Sequence, residues 1–200
     1  MHYIISLLIG ISLSATSGFR LFVPMLVISY ASLTGWLELS PAFEWIGTYP
    51  ALAAFAVAAL LELTAYFIPY VDNLLSTAAV PVSVLAGAII TASVMVDLPP
   101  MLTWTLAIVA GGGAALGGST LSSLLHSGST VTTGGTANPL LSLAETVLSV
   151  ILSVLAVLVP LLAFLLLALL FFIITRFIRN HRKKRHNKAH QHKIERGESI

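Results

Sequence analysis

Cysteine is missing from this chain of 200 residues, and charged residues are scarce along most of it. Without a thiol there is no disulfide framework, no cysteine nucleophile and no thiolate metal site. Charged residues make up 9% of the chain and hydrophobic residues 57%, and the mean hydropathy is +0.96. A soluble protein of this length would have too little polar surface at that composition, which excludes a soluble core as the main interpretation.

Positive charge is almost confined to one end of the chain. Nine of the ten Lys and Arg residues follow position 175, and Arg20 is the one cation before it. Lys and Arg beside a membrane span are retained on the cytoplasmic side, so we expect an integral membrane protein with a cytoplasmic C-terminus. Residues 1–179 are predicted to form a transmembrane helical domain and residues 180–200 a basic, His-rich, disordered tail. The start of the chain lacks a cationic region, so we expect no cleaved signal peptide.

The tail is interpreted as a lipid-binding segment. The cations Arg182, Lys183, Lys184 and Arg185 should attract anionic lipids, at about 1 kcal/mol for each nearby cation. Orientation and anchoring explain this segment without nucleic acid. The four tail histidines could bind a metal weakly, but a solvated tail is favoured, and we assign no metal and no cofactor.

Apolar windows of about 20 residues predict an all-α, polytopic membrane bundle. Four windows are separated by Pro, Asp and Trp residues, with Asp72 or Asn73 expected to cap the third. A last apolar run from Asn138-Pro139 to about Ile178 would be ~60 Å long as one helix, about twice the hydrocarbon thickness, so Pro160 is predicted to break it. This gives about six spans with both termini cytoplasmic and loop 36–50 external. A five-span chain with an external N-terminus is the alternative.

Two segments are predicted to be broken membrane helices, near residues 16–20 and 127–139. Each combines small hydroxyl residues, glycine, a polar side chain and then proline before an apolar helix. Paired breaks in the two halves of a chain can mark a transporter binding site. If the two breaks converge, helix-start amides and nearby polar side chains could bind an anionic or polar group, the candidates being Ser17, Thr132, Thr133, Thr136 and Asn138. A plain kink and a surface loop are the alternative.

Ionisable residues inside apolar spans are the main candidates for function, because each costs about 2.5 to 3.5 kcal/mol on insertion scales. They are Arg20, Glu62 and Glu145. Tyr66 shares a helix face with Glu62 at the i, i+4 spacing, so its phenol could bind the carboxyl group. A buried Arg–Glu bridge that only fixes helix packing is the structural alternative to a transport or proton-relay role.

The glycine-rich segment 111–118 is predicted to pack closely against other helices. Gly113 and Gly117 form a GxxxG pair, and Ala110, Ala114 and Gly118 form a second stripe of small residues. A nucleotide loop is disfavoured because the P-loop lysine and a preceding strand are missing. GxxxG packing works within or between chains, so homo-oligomerisation is open.

The segments SGFRLFVPML, ELTAYFIPYVDNLL, AGAIITASVM, WTLAIVAGGGAA and TTGGTANPLLSLAE together resemble the domain of unknown function 4126 family of bacterial multi-pass membrane proteins. The resemblance covers about Ser12 to Leu165 and implies a location in the bacterial inner membrane. It implies no catalytic role, because the family has no settled activity. The positions in its matching segments are Arg20, Glu62, Asp72, Gly112, Gly113, Thr133, Gly134, Asn138, Pro139 and Glu145. Ser76-Thr77 departs from the acidic residue expected after VDNLL.

The leading functional hypothesis is transport or permeation of a small polar or anionic solute, with a proton-linked glutamate. The alternative is a membrane scaffold or assembly factor that binds lipids or a protein partner. An enzyme is disfavoured, since the chain has no HExxH or GxSxG motif.

Overall fold

The computed structural model describes residues 2–65, 69–96, 98–134, 136–173 and 176, with side chains except those of residues 2 and 69–79. Within these ranges the regular structure is helical, without a strand. Several residues with a predicted role lie outside the described residues: Tyr66, Arg182, Lys183, Lys184 and Arg185.

Eight α-helices follow one another along the described ranges. They are α1 His2–Ser17, α2 Phe22–Leu33, α3 Tyr49–Ala65, α4 Pro69–Val94, α5 Pro100–Leu106, α6 Gly113–Thr133, α7 Asn138–Leu158 and α8 Pro160–Ile173. A 3₁₀ helix, Pro41–Gly47, precedes α3, and a π-helical segment, Ala107–Gly112, joins α5 to α6. The all-α prediction is therefore confirmed.

The chain divides into two compact units, Met1–Phe164 and Leu165–Ile200. The first unit contains α1 to α7 and the first residues of α8. The second contains the remainder of α8, which is helical through Ile173. The candidate site described below lies entirely within the first unit.

Two of the described helices are long and apolar enough to cross a membrane. They are the continuous helix Pro100–Thr133 and α7. The pair Pro41–Gly47 and Tyr49–Ala65, bent by 66°, would be a third if it is counted as one span. Other apolar helices, among them α1 and α2, are shorter. The expected number of six spans therefore stays a prediction.

Both predicted breaks are present, although the second is shorter than expected. Between α1 and α2 the helix is interrupted at residues 18–21. The polar segment after His126 remains helical up to Thr133, because its hydroxyls bond back to carbonyls one turn earlier: Thr130 to His126 at 2.9 Å and Thr133 to Ser129 at 2.8 Å. Gly134 then ends α6 with a left-handed backbone, φ 64°.

Pro160 breaks the last apolar run, as expected. Helix α7 ends at Leu158, and α8 begins at Pro160 after the non-helical Val159. The expected cap at Asp72 or Asn73 is wrong, because α4 already begins at Pro69. Pro at the first position of a helix loses no intrahelical hydrogen bond, which explains the earlier start.

Helix α1 lies at the centre of the first unit, where it contacts α4, α6 and α7. Gly87 of α4 permits one close approach, since a Cβ there would lie 2.6 Å from the Ala115 Cβ and 2.8 Å from the Gly111 carbonyl oxygen. Gly18 permits a second approach, since its Cβ would lie 2.5 Å from the Ala115 carbonyl oxygen. The π-helical segment and α6 are therefore held against α4 and against the end of α1.

Gly113 takes no part in these close helix–helix contacts. This residue is exposed, and no heavy atom lies within 4 Å of a Cβ built on it. Gly117 is half-buried, whereas Gly111 and Gly118 are buried. The closest contacts therefore lie at Gly111 and at Gly118, a member of the second predicted stripe, rather than at Gly113, because α4 and α1 cross the helix on that side.

Candidate functional site

The break between α1 and α2 places a charged residue inside the protein. Gly18 allows the end of α1 to lie against α6, and the chain turns at residues 18–21 before α2 begins. Arg20 is part of this turn and is only 1% exposed. Its Nη2 atom donates a hydrogen bond to the Ser142 carbonyl oxygen of α7, 2.5 Å away. The guanidinium group thus connects the α1–α2 break to the second turn of α7.

Glu62 caps the helix that follows the break. Its Oε1 atom accepts a hydrogen bond from the Leu21 amide at 2.8 Å, and its Oε2 atom accepts one from the Phe22 amide at 3.1 Å. No side-chain cap is supplied by Leu21, the N-cap residue itself. A carboxylate at the start of a helix satisfies free amides and opposes the positive end of the helix dipole. Glu62 therefore joins α3 to the start of α2.

Glu145 is the most deeply buried carboxyl group of the site, at 4% exposure. One oxygen, Oε2, lies 3.2 Å from Nε2 of His126 on α6. The other oxygen, Oε1, is buried and has no hydrogen-bond partner among the described residues. A buried carboxyl oxygen without a donor is costly, because it has lost its hydrogen bonds to water without gaining others.

Glu62 interacts electrostatically with two other charged residues of the site. The Coulomb interaction of Glu62 with Arg20 is favourable, and its interaction with Glu145 is unfavourable. Two carboxylates and one permanent cation leave one negative charge when His126 is neutral. We call these four residues, Arg20, Glu62, His126 and Glu145, the charged centre.

The chain matches the model of a known protein family. The family model described as "Domain of unknown function (DUF4126)" matches residues 7–180. The chain belongs to the DUF4126 family. No curated protein matches the chain, and no solved structure matches it either. Family membership agrees with the resemblance expected from the sequence, and the description of the family assigns no activity.

The structure of this DUF4126 chain brings together some of the sequence-predicted candidates and separates others. Arg20, Glu62 and Glu145 all belong to the charged centre, where Glu62 interacts electrostatically with the other two. Thr133 lies at the exposed end of α6, where its hydroxyl bonds to Ser129. Asn138 begins α7, and its Nδ2 atom donates to the Thr130 hydroxyl at 3.2 Å rather than capping the helix.

The proposed anion ligands near the breaks have other partners. The Ser17 hydroxyl donates to the Ser14 carbonyl at 2.7 Å, and the Thr136 hydroxyl to the Thr133 carbonyl at 3.0 Å. Thr132 donates to the Gly128 carbonyl at 2.9 Å. The amides at the start of α2 are bound by Glu62. These contacts do not form an anion site at either break.

His126 was not identified from the sequence as a partner of Glu145. The polar residues around it predicted a loop, and the pairing depends on how α6 packs against α7. The sequence contained one indication of the pair. His126 precedes Glu145 by 19 residues, and the two side chains would meet if the turn between α6 and α7 were short. Within the described ranges of this DUF4126 chain, no group of three His, Asp or Glu side chains could hold a metal ion.

Proposed function

We propose that this DUF4126 chain is a multi-pass protein of the bacterial inner membrane that carries a small polar solute across the bilayer, with a proton exchanged at Glu145. The proposal combines a membrane location, a buried ionisable centre and a break in the helix beside it. Each of these features has its own support in the described residues.

The membrane location is supported by the reversed polarity of α7. Its outward face is apolar and exposed, with Leu140, Leu143, Val147 and Ile151 bordering a shallow groove that has almost no polar lining. Its inward face is polar and buried, with residues Ser142, Glu145, Ser149 and Ser153. A soluble helix has the opposite arrangement, whereas lipid tails solvate an apolar outer face.

The observation that carries the proposed function is the unpartnered oxygen of Glu145. Ionisable groups within membrane spans are rare, and they mark ion pathways and proton relays. A purely structural bridge would be expected to use both carboxyl oxygens, since an unsatisfied buried acceptor costs about 1–3 kcal/mol. At Glu145 one oxygen faces His126 and the other remains available for a proton.

The charges also limit the class of solute. An anionic solute would have to displace Glu62 from the amides of Leu21 and Phe22 or approach the carboxyl group of Glu145. A neutral polar solute can hydrogen-bond to the carboxyl groups without either cost. The charged centre thus favours a neutral polar solute that moves with a proton over a free anion.

The proposal can be tested with purified protein in sealed vesicles that contain a fluorescent pH indicator. Separate additions of a sugar alcohol, a zwitterionic amino acid, a monocarboxylate and inorganic phosphate would show which class of solute changes the internal pH. We expect the Glu145→Gln and Arg20→Ala variants to lose the response. Glu44→Gln, the same acid-to-amide change on an exposed glutamate, should retain it.

Folding is checked for each variant by size-exclusion chromatography and thermal unfolding. A response that is equal in wild type, Glu145→Gln and Arg20→Ala would overturn the mechanism. No response to any solute from a correctly folded protein would favour the scaffold alternative. Deletion of residues 181–200 would then show whether function depends on the tail.

A further inference from the structure

All three tryptophans of the chain lie in or against one short segment, residues 34–48, which connects α2 to α3. Two of them belong to the segment itself. The third, Trp104 of α5, packs against Phe43 of the segment, with 6.4 Å between the ring centroids. A tyrosine follows as the first residue of α3. We call these four residues the aromatic rim: Trp36, Trp45, Tyr49 and Trp104.

The connecting segment is fixed to the helices on either side of it. The Ser40 amide donates a hydrogen bond to the Ser93 carbonyl of α4 at 2.8 Å. The Ser29 hydroxyl of α2 donates to the Ile46 carbonyl at 2.6 Å. The side chains of Leu37 and Ile46 are buried. The segment therefore packs its aliphatic residues into the protein and holds the rim in place.

The rim side chains are exposed, although they are large and aromatic. Their exposed fractions lie between 47% and 78%. Trp and Tyr combine an apolar ring with a hydrogen-bonding N–H or O–H group, and in membrane proteins they are enriched at the level of the lipid headgroups. The exposed face of α7, by contrast, consists of aliphatic side chains such as Leu140 and Val147. The rim thus has the chemistry of a headgroup contact rather than that of a surface for lipid tails.

The connecting segment is also acidic. It contains two glutamates and no Lys, Arg or His. Glu38, two residues after Trp36, is exposed. A carboxylate is costly in the hydrocarbon layer, which keeps the segment at the headgroup level. The segment has no cation of its own to place on the tryptophan rings.

Aromatic faces and carboxylates both attract a cation, and Trp is the strongest of the aromatic residues in this respect. The headgroup of a zwitterionic phospholipid offers such a cation as its ammonium group. An anionic headgroup without an ammonium group would meet the carboxylates unfavourably. We propose that the aromatic rim binds the ammonium headgroups of zwitterionic phospholipids, an inference that rests on the proposed membrane location.

The tryptophans themselves are the probe, because every tryptophan of the chain belongs to the rim. Full-length protein is reconstituted in vesicles that mix phosphatidylethanolamine with phosphatidylglycerol. Bromine atoms, which quench tryptophan fluorescence on contact, are placed on one of the two lipids at a time. Bromine near the glycerol end of the acyl chain should quench the fluorescence more than bromine near the methyl end.

The choice of brominated lipid tests recognition of the ammonium group. Brominated phosphatidylethanolamine should quench more than the same amount of brominated phosphatidylglycerol. We expect the ammonium lipid to be enriched at the rim about two- to fivefold, the range for an exposed cation–π contact. Glu38→Gln removes a carboxylate, keeps all three tryptophans and should lower this preference. Glu198→Gln makes the same change in the C-terminal tail and should keep it.

Folding of both variants is checked by size-exclusion chromatography. Equal quenching by the two brominated lipids, or an unchanged preference in folded Glu38→Gln, would overturn recognition of the ammonium group. Quenching that is strongest near the methyl end, or quenching by aqueous iodide alone, would also overturn the proposal. In each of these cases, protein that floats with the vesicles leaves the proposed function standing. Protein that does not float with them would overturn both the rim and the membrane location.

Discussion

At the scale of single residues, the Glu62 carboxyl group occupies the start of α2, where a bound anion would otherwise be expected. The first amides of a helix attract negative charge, and here both carboxylate oxygens of Glu62 accept from those of Leu21 and Phe22. Arg20, the neighbouring residue, contributes a favourable Coulomb interaction. The protein thus supplies its own anion at the break, which fixes the start of α2 against α3.

We predict that Glu62→Gln lowers the free energy of unfolding by about 0.5–2 kcal/mol, the usual range for loss of a helix cap. One amide at the start of α2 would then face a side-chain NH₂ group instead of an oxygen. Denaturant titration in detergent measures the change. Glu44→Gln is the matched control on an exposed glutamate, and equal stability of the two variants would contradict the capping role.

Much of the charged centre could be predicted from single residues, because charge inside an apolar window is conspicuous. Arg20, Glu62 and Glu145 were found in this way. The sequence could not show that Arg20 binds the Ser142 carbonyl or that His126 pairs with Glu145, since the first pair is far apart in the chain and the second joins two different helices. Such contacts depend on tertiary packing, which no local pattern encodes.

At the scale of helices, proline and glycine predicted breaks well and polar residues predicted them poorly. Pro160 separates α7 from α8, and the segment around Gly18 separates α1 from α2. The Ser/Thr-rich end of α6 continues as helix because its hydroxyls bond to carbonyls of the same helix. Such back-bonding lets hydroxyl residues remain helical where composition alone predicts a loop.

We predict opposite effects for alanine at two helical glycines. Gly87→Ala places a methyl group 2.6 Å from the Ala115 Cβ and should destabilise the protein by about 1–3 kcal/mol through overpacking. Gly113→Ala meets no atom within 4 Å and should be neutral or stabilise by about 0.5–1 kcal/mol through helix propensity. Thermal unfolding of both variants in detergent checks the pair. A lower stability of Gly113→Ala would show that another surface packs on this glycine.

At the scale of the whole molecule, many polar side chains are buried and many apolar side chains are exposed, the reverse of a soluble protein. Serines and threonines are buried along α1 and α7, while many leucines and valines are exposed. The high hydrophobic content and the scarcity of charge predicted an integral membrane protein from composition alone. The number of spans could not be settled in the same way, because several apolar helices are shorter than a bilayer crossing and breaks divide others.

The six-span arrangement predicts the side of the membrane on which two exposed positions lie. The chain has no native cysteine, so Glu44→Cys and Thr133→Cys each introduce a single labelling site. In intact cells an impermeant maleimide should label the cysteine at position 44, and it should label position 133 only after the membrane is permeabilised. Reversed labelling would contradict six spans and indicate five with an external N-terminus.

The central claim is that Glu145 exchanges a proton inside the membrane. Infrared difference spectra of the reconstituted protein, recorded between high and low pH, test it most directly, because protonation of a carboxylate produces a carboxyl C=O band. The account predicts a band in wild type and in Glu44→Gln that disappears in Glu145→Gln. A spectrum of Glu145→Gln identical to that of wild type would contradict proton exchange at this residue and leave the charged centre as a structural bridge.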